Sequence, residues 1–153
     1  MPTDTSTPTD SATGTVVLLT RLARVVYRRS TVELVGMNLK EMAALAYLRD
    51  HDQASQQALS AALILDANTC VLLLNDLEKL AYVERRRDPS DRRRHLVTLT
   101  NTGLKALEQA EFAQGSVEDE VLAALSAQER CTLHQLLSRA LDGQEGHDTS
   151  DRE

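Results

Sequence analysis

Hydrophobic residues recur every three or four positions along most of the chain, which is typical of amphipathic α-helices. In the first such segment Leu18, Leu22 and Val25 follow the i, i+4, i+7 spacing, so we expect a helix over residues 16–34. Residues that cap helices then divide the chain into further helical segments.

Three capping residues follow the first helix. Asn38 opens a helix, and Glu41 stands where its side chain can return a hydrogen bond to the Asn38 amide. Ser55 opens a short helix, and Asp66 opens a longer one that ends near Leu80. Because only three or four residues separate the helices that Ser55 and Asp66 open, the pattern predicts a helix-turn-helix.

The second helix of this pair divides into two faces. Its 3.6-residue period places four apolar residues on the inner face: Cys70, Leu73, Leu77 and Leu80. The opposite face carries five others: Asn68, Val71, Leu72, Asn75 and Lys79.

After this helix the hydrophobic period changes from about 3.6 to 2. Residues 83–87 and 94–99 alternate as two strands, and Asp88-Pro89-Ser90-Asp91 between them has the chemistry of a turn. A hairpin directly after a helix-turn-helix is a wing. The sequence therefore predicts a mainly α fold with a small β-hairpin, a winged helix-turn-helix over residues 38–100.

Two more helices are expected after the wing. One runs over residues 101–114, with a continuation to Leu125 left open, and the other starts at Ser126 with Glu129 completing a capping box. The apolar stripes of residues 16–37 and 101–143 exceed what a small winged helix needs, so we expect them to form a dimer interface.

The two ends of the chain differ from the helical middle. Residues 1–15 and 144–153 are rich in Thr, Ser, Asp and Gly, so we expect flexible tails around a single folded unit, residues 16–143.

Charge is distributed unevenly along the chain. The protein has 17 basic and 23 acidic side chains, a formal charge of −6. Residues 85–94 contain six arginines and two aspartates, a charge of +4, which leaves −10 on the rest. A compact positive segment on a negative body predicts one edge that binds a polyanion. The alternative is an ordinary solvated face whose arginines pair with Glu84, Asp88 and Asp91.

Composition excludes several classes of protein. One Phe, three Tyr and no Trp give few platforms for stacking single-stranded bases. We expect no membrane span, no secretory signal and, with only two cysteines, a cytoplasmic location. No phosphate-binding Gly loop or catalytic constellation is evident, so we expect neither an enzyme nor a cofactor.

The segment LSAALILDANTCVLLLNDLEKLAYVERRRDPSDRRRHLVTLTNTG resembles the core of the multiple-antibiotic-resistance regulator (MarR) family of winged-helix transcription factors. The resemblance extends over residues 38–103, and its most specific part is the Arg-rich wing followed by Leu-Thr. It implies a homodimer on a pseudo-palindromic DNA duplex, with each recognition helix in the major groove and each wing in a minor groove.

The resemblance also implies roles for the wing. Arg93 stands at the family's wing-tip arginine, which enters the minor groove, and Asp91 at the aspartate that steadies it. The other arginines would bind phosphates or brace the hairpin: Arg85, Arg86, Arg87, Arg92 and Arg94.

Two features depart from the family pattern. Val71 and Leu72 replace a Thr and a basic residue on the recognition helix, where they either touch thymine methyl groups or pack against protein. Ile64 and Ala81 stand where glycines are common; we expect slightly altered turns there, or else strain of about 1 kcal/mol at positive φ. The candidate recognition-helix contacts are Asp66, Asn68, Thr69, Val71, Leu72 and Asn75.

Relatives often bind small aromatic or phenolic anions, and the candidate residues for such a cleft here are Tyr27, Arg28, Tyr47 and His51. The alternative is that the tyrosines fill amphipathic helices and that Arg28 and His51 are solvated surface residues. Cys70 is expected in the core rather than as an oxidant sensor. Cys131 and His134 are too few to predict a metal site.

The sequence therefore predicts a dimeric, sequence-specific regulator, a repressor modulated by a small effector. The alternatives are a winged-helix protein-interaction module and a ligand-binding dimer without an operator. The Arg-rich wing favours the regulator.

Overall fold

The computed structural model describes residues 13–145, seven helices and three strands in chain order. The elements are α1 (Thr15–Arg29), α2 (Val32–Val35), α3 (Leu39–Asp50), β1 (Ala54–Ser55), α4 (Gln56–Leu63), α5 (Ala67–Lys79), β2 (Val83–Arg87), β3 (His95–Leu99), α6 (Asn101–Val121) and α7 (Ala127–Glu145). Most of the two expected tails, residues 1–12 and 146–153, lies outside the described part. Thr15 already belongs to α1 and the last helix reaches Glu145, so helix extends into both expected tail segments.

Both predicted capping boxes are present. The Glu41 amide donates to Asn38 Oδ1 at 2.9 Å, and the Asn38 amide donates to Glu41 Oε2 at 3.0 Å. At the start of α7 the Ser126 amide donates to Glu129 Oε2 at 2.7 Å, and the Glu129 amide donates to Ser126 Oγ at 3.1 Å. Each box satisfies amides that the first helical turn leaves without partners.

The first helix is shorter than the single helix predicted over residues 16–34. It ends at Arg29, and Thr31 takes an extended conformation and accepts a hydrogen bond from the Leu34 amide at 3.4 Å. This local cap starts α2 in a new direction. The break lets Val35 enter the core, where only 4% of it is exposed.

A short strand was missed by the sequence pattern. Residues Ala54–Ser55 form β1, which pairs antiparallel with β3 and makes the sheet order β1-β3-β2. Two residues are too few to show an alternating pattern. As a result Val97, in the central strand, pairs with Ala54 on one side and Arg85 on the other.

The core lies between α3, α4, α5, α6 and the sheet. Its fully buried large side chains are Leu45, Leu48, Leu59, Leu74, Leu77, Leu107, Val83, Val97 and Cys70. The predicted inner face of α5 is confirmed for Cys70, Leu73 and Leu77 but wrong for Leu80, which is 49% exposed. Leu80 lies at the end of the helix, where the chain turns into β2, and Leu74 takes the fourth buried position.

The wing is anchored to α6 at its base. The Thr100 amide donates to the Tyr82 carbonyl at 3.0 Å, and the Thr100 hydroxyl donates to the Ala81 carbonyl at 2.6 Å. Gly103 packs so closely here that a Cβ would collide with the Tyr82 carbonyl. The Leu-Thr entry to α6 is therefore a tight junction that holds the wing strands in place.

Within residues 13–145, no single helix is long and apolar enough to cross a membrane.

Candidate nucleic-acid interface

The recognition helix α5 is set by a left-handed turn at the end of α4. The chain bends by 108° between the two helices. Ile64 has φ 55° and ψ 48°, while the Leu65 amide donates to the Ser60 carbonyl at 2.9 Å and the Ile64 amide to the Ala61 carbonyl at 3.2 Å. This is a Schellman motif, whose left-handed position usually holds glycine.

The same motif ends the recognition helix. Ala81 has φ 58°, the Tyr82 amide donates to the Leu77 carbonyl at 2.9 Å, and the Ala81 amide donates to the Glu78 carbonyl at 3.0 Å. The expectation that both turns would change geometry to suit their side chains is wrong. Both keep the left-handed geometry, so the backbone carries a cost of about 1–2 kcal/mol at each.

The N-terminus of α5 is capped by Asp66. Its Oδ1 accepts from the Thr69 amide at 2.8 Å, and its Oδ2 accepts from the Thr69 hydroxyl at 2.7 Å. The bond from the backbone amide, followed by that from the hydroxyl, lowers the pKa of Asp66 below its ordinary value. Asp66 and Thr69, both candidate base contacts, are thus engaged with each other in the cap.

The outward face of α5 retains three of the six candidate contacts. Asn68 and Leu72 lie one turn apart and are exposed, Leu72 by 56%, and Val71 between them is half-buried. Asn75, on the same helix, is half-buried and holds an arginine of the wing.

That arginine is Arg85, in the middle of β2. Its Nε donates to Glu78 Oε2 at 2.6 Å, its Nη2 to Asn75 Oδ1 at 2.6 Å, and its Nη1 to Gln56 Oε1 at 3.5 Å. Of the two roles expected for it, phosphate contact or brace, this geometry is that of a brace. Glu78 and Gln56 were missed, because nothing in the sequence marks them as partners of a residue on the wing.

The tip of the wing is held by two aspartates. Asp88 Oδ1 accepts from the Ser90 hydroxyl at 2.6 Å and from the Ser90 amide at 2.9 Å, and these two bonds lower the pKa of Asp88. Asp91 Oδ1 accepts from the Arg93 backbone amide at 3.0 Å. Asp91 is thus bonded to the backbone of Arg93, the residue that it was expected to steady.

Most of the arginines at the wing have no hydrogen-bond or ion-pair partner for their side chains among the described residues. Arg86 pairs with Glu84 at 3.2 Å, and both are exposed. Four exposed arginines of the wing donate no side-chain hydrogen bond to, and form no ion pair with, any residue in the range 13–145: Arg87, Arg92, Arg93 and Arg94. The charge of Arg94 helps to lower the pKa of Asp88. A solvated face whose arginines are all internally paired does not fit this arrangement.

Of the four candidate effector residues, Tyr27 lies in a groove whose lining does not include the other three. Tyr27, 60% exposed, lines an open groove of about 300 Å³ with Lys40, Ile64 and Leu65, among others. Tyr47 and His51 lie outside the lining of this groove and stack on each other, with ring centroids 4.0 Å apart. Arg28 is exposed in the last turn of α1.

The cysteines occupy different environments. Cys70 is 1% exposed in the core, as predicted, and Cys131 is exposed on α7. In the described part of the chain, no group of three or more His, Cys, Asp or Glu side chains could hold a metal ion.

Apolar side chains remain exposed on α1 and α7. Those of α1 are Val16, Val17, Leu18, Leu19 and Val25. Those of α7 are Leu136, Leu137 and Leu141. A cavity of about 280 Å³ between α1, α6 and α7 is lined by Leu22, Val117, Leu133 and neighbouring residues.

Comparison with known proteins points in one direction. A model of the MarR family matches residues 35–94. A putative transcriptional regulatory protein for the hcr operon of Thauera aromatica is 32% identical over 126 residues, 82% of this chain and 73% of that protein. The transcriptional regulator HosA of Escherichia coli is 31% identical over 72% of this chain and 82% of HosA. A cysteine-to-serine variant of E. coli MarR, crystallised with operator DNA, superposes with a TM-score of 0.66 at 26% identity, over 82% of this chain and 95% of that one.

Proposed function

This chain belongs to the MarR family of winged-helix proteins, and from that premise we propose that it regulates transcription by binding a double-stranded DNA operator as a homodimer. Its relatives are transcriptional regulators, which are not enzymes. We place it in the cytoplasm.

The observation that carries the proposal is the set of four wing arginines whose side chains have no hydrogen-bond or ion-pair partner within residues 13–145. A guanidinium is drawn into a narrow minor groove because negative potential is concentrated there. In the proposed complex Arg93 enters that groove, and Arg87, Arg92 and Arg94 bind flanking phosphates. Each phosphate that is neutralised releases counterions, so affinity falls steeply as salt rises.

Base recognition in the major groove rests on the exposed face of α5. The Asn68 amide can donate and accept at an adenine edge, and Leu72 can contact a thymine methyl group. Asp66 and Thr69 hold the helix N-terminus in shape through their mutual hydrogen bonds. Because Asn68 would contact adenine and Leu72 would contact thymine, we expect operator half-sites rich in A·T pairs.

The dimer is supported by the exposed apolar side chains of α1 and α7, which a second copy would cover. With two-fold symmetry, the recognition helices meet one face of the duplex at half-sites one helical turn apart. The operator is then pseudo-palindromic.

We further propose that the regulator is a repressor released by a small aromatic or phenolic anion. The groove beside Tyr27 supports this, because Lys40 supplies a cation and Ile64 and Leu65 belong to the turn that orients α5. An effector that prefers a displaced turn lowers operator affinity by linkage.

Fluorescence anisotropy on duplexes from the region upstream of its own gene tests the proposal across a salt series. Arg93→Ala should weaken binding at least ten-fold and reduce the slope of log K against log salt by roughly 1.8, about 0.9 for each of the two wings of the dimer. The matched control is Arg139→Ala, which removes an equal charge from α7, outside the winged domain. Equal affinity of Arg93→Ala and the wild type would contradict the proposed role of the wing. If the wild type binds neither these duplexes nor any duplex selected from a random pool, the result would favour a protein-interaction module.

A further inference from the structure

Arg85 joins three elements of the winged domain. Asn75 and Glu78 lie on one face of α5, three residues apart, and Gln56 is the first residue of α4. All three accept from the same guanidinium, whose side chain is only 21% exposed. Within residues 13–145, these are the only side-chain hydrogen bonds that link β2 or β3 to either helix of the helix-turn-helix.

The apolar core already packs buried Val83 and Val97 of the sheet with α5, and Arg85 adds a polar connection between the wing and the recognition helix. The covalent link is the turn through Ala81 and Tyr82, and the bonds from Thr100 secure only the base of the hairpin. Arg85 lies two residues further along β2, opposite Val97, between the base and the tip.

The charge of Arg85 is already matched. Glu78 Oε2 lies 2.6 Å from its Nε, a charge-assisted bond, and Asn75 and Gln56 engage both terminal nitrogens. These bonds use three of the five N–H donors, and a phosphate would have to share the guanidinium, only 21% exposed, with the negatively charged Glu78. Phosphate contact is therefore unfavourable for this arginine.

We propose that Arg85 is a positioning residue that clamps the recognition helix to the wing, so that α5 and Arg93 reach the major and minor grooves together. This inference rests on the proposed function. The clamp selects for duplexes whose two grooves have the matching spacing, and it contributes to operator specificity without touching DNA.

Three substitutions separate a clamp from a phosphate contact. Arg85→Lys keeps the positive charge but loses the planar fork of N–H donors. If Arg85 is a clamp, the lysine variant should lose operator affinity; if Arg85 binds a phosphate, the lysine variant should keep most of that affinity. Arg85→Gln should lower operator affinity at least five-fold with an unchanged salt slope and unchanged affinity for random DNA. Glu78→Gln removes a negative charge from the protein, and this change in net charge alone would strengthen DNA binding. If Glu78 is part of the clamp, operator binding should instead weaken at least three-fold.

Arg93→Ala serves as the internal reference, because it should reduce both the salt slope and the affinity for every duplex. If Arg85→Lys binds like the wild type while Arg93→Ala does not, the clamp is wrong and the proposed function stands. A reduced slope in Arg85→Gln, or tighter operator binding by Glu78→Gln, would also overturn it.

The stability of the free protein tests the clamp in the absence of DNA. In thermal unfolding, Arg85→Gln should lower the Tm, and adding Glu78→Gln should lower it little further, because the pair acts as a unit. Fully additive losses would show that the two side chains are not coupled and would overturn the clamp independently of the operator.

Discussion

Two non-glycine residues hold left-handed backbone conformations in this winged domain, and replacing one of them with glycine should stabilise the protein. Ala81 has φ 58° at the end of the recognition helix, and its side chain is exposed. Left-handed backbone costs an L-residue about 1–2 kcal/mol, and glycine escapes that cost. Glycine loses about 0.5–1 kcal/mol through the greater freedom of the unfolded chain. The net gain for Ala81→Gly is about 0.5–1 kcal/mol.

Ile64 provides the comparison. It has φ 55°, but one third of its side chain is buried, since 67% is exposed. Full burial of an aliphatic side chain contributes about 1.5–3 kcal/mol, so a third of that, about 0.5–1 kcal/mol, is lost in Ile64→Gly. This loss offsets the relief of strain. We expect Ile64→Gly to leave the free energy of unfolding nearly unchanged.

Urea denaturation measures the free energy of unfolding of both variants at one fixed protein concentration, because the proposed dimer would make stability concentration-dependent. For a chain of 153 residues, the Ala81→Gly gain corresponds to a rise in Tm of about 1–4 °C. Gly36, with φ 90° and open space around it, is the reverse control: Gly36→Ala should destabilise. An Ala81→Gly protein that is less stable than the wild type would refute the strain assigned to this turn.

Three further predictions concern packing, pH and thiol access. Gly103→Ala should destabilise by about 2 kcal/mol or more in the same denaturation assay, because the new Cβ meets the rigid Tyr82 carbonyl; a cost below 0.5 kcal/mol would contradict the tight junction. The pKa of Asp66 is lower in the folded state, so its contribution to stability is present above its unfolded pKa and is lost as pH falls through the folded pKa. The Tm of Asp66→Asn should therefore fall less on acidification than the Tm of the wild type. Identical pH dependence of the two Tm values would show that the Asp66 carboxylate does not contribute to the acid sensitivity. Iodoacetamide followed by mass spectrometry should label Cys131 but not buried Cys70 in the native protein, and rapid labelling of Cys70 would contradict its place in the core.

Several features could be predicted from short stretches of sequence because they are local. The capping boxes at Asn38 and Ser126 need partners only three residues away. The alternating strands of the wing and the turn at Asp88 depend on neighbours in the same way. Charge is equally independent of fold: the +4 of residues 85–94 follows from composition.

Other features depended on parts of the chain that meet only in the folded protein. The two-residue β1 exists because β3, some forty residues later, offers it a partner. The left-handed Ile64 and Ala81 keep a geometry that their own preferences oppose, since the elements on either side impose it: α4 and α5 around Ile64, and α5 and β2 around Ala81. Glycine at these positions would have been the local signal, and it is absent.

The arginines of the wing show the same division most clearly. Sequence alone predicted a positive edge and assigned all six arginines to DNA or to the hairpin. Only the tertiary structure separated Arg85 from the unpaired arginines, because its partners lie 7, 10 and 29 positions away in the chain. Net charge is a sum over residues and needs no fold, whereas the pairing of each charge depends on distance, and packing sets that distance.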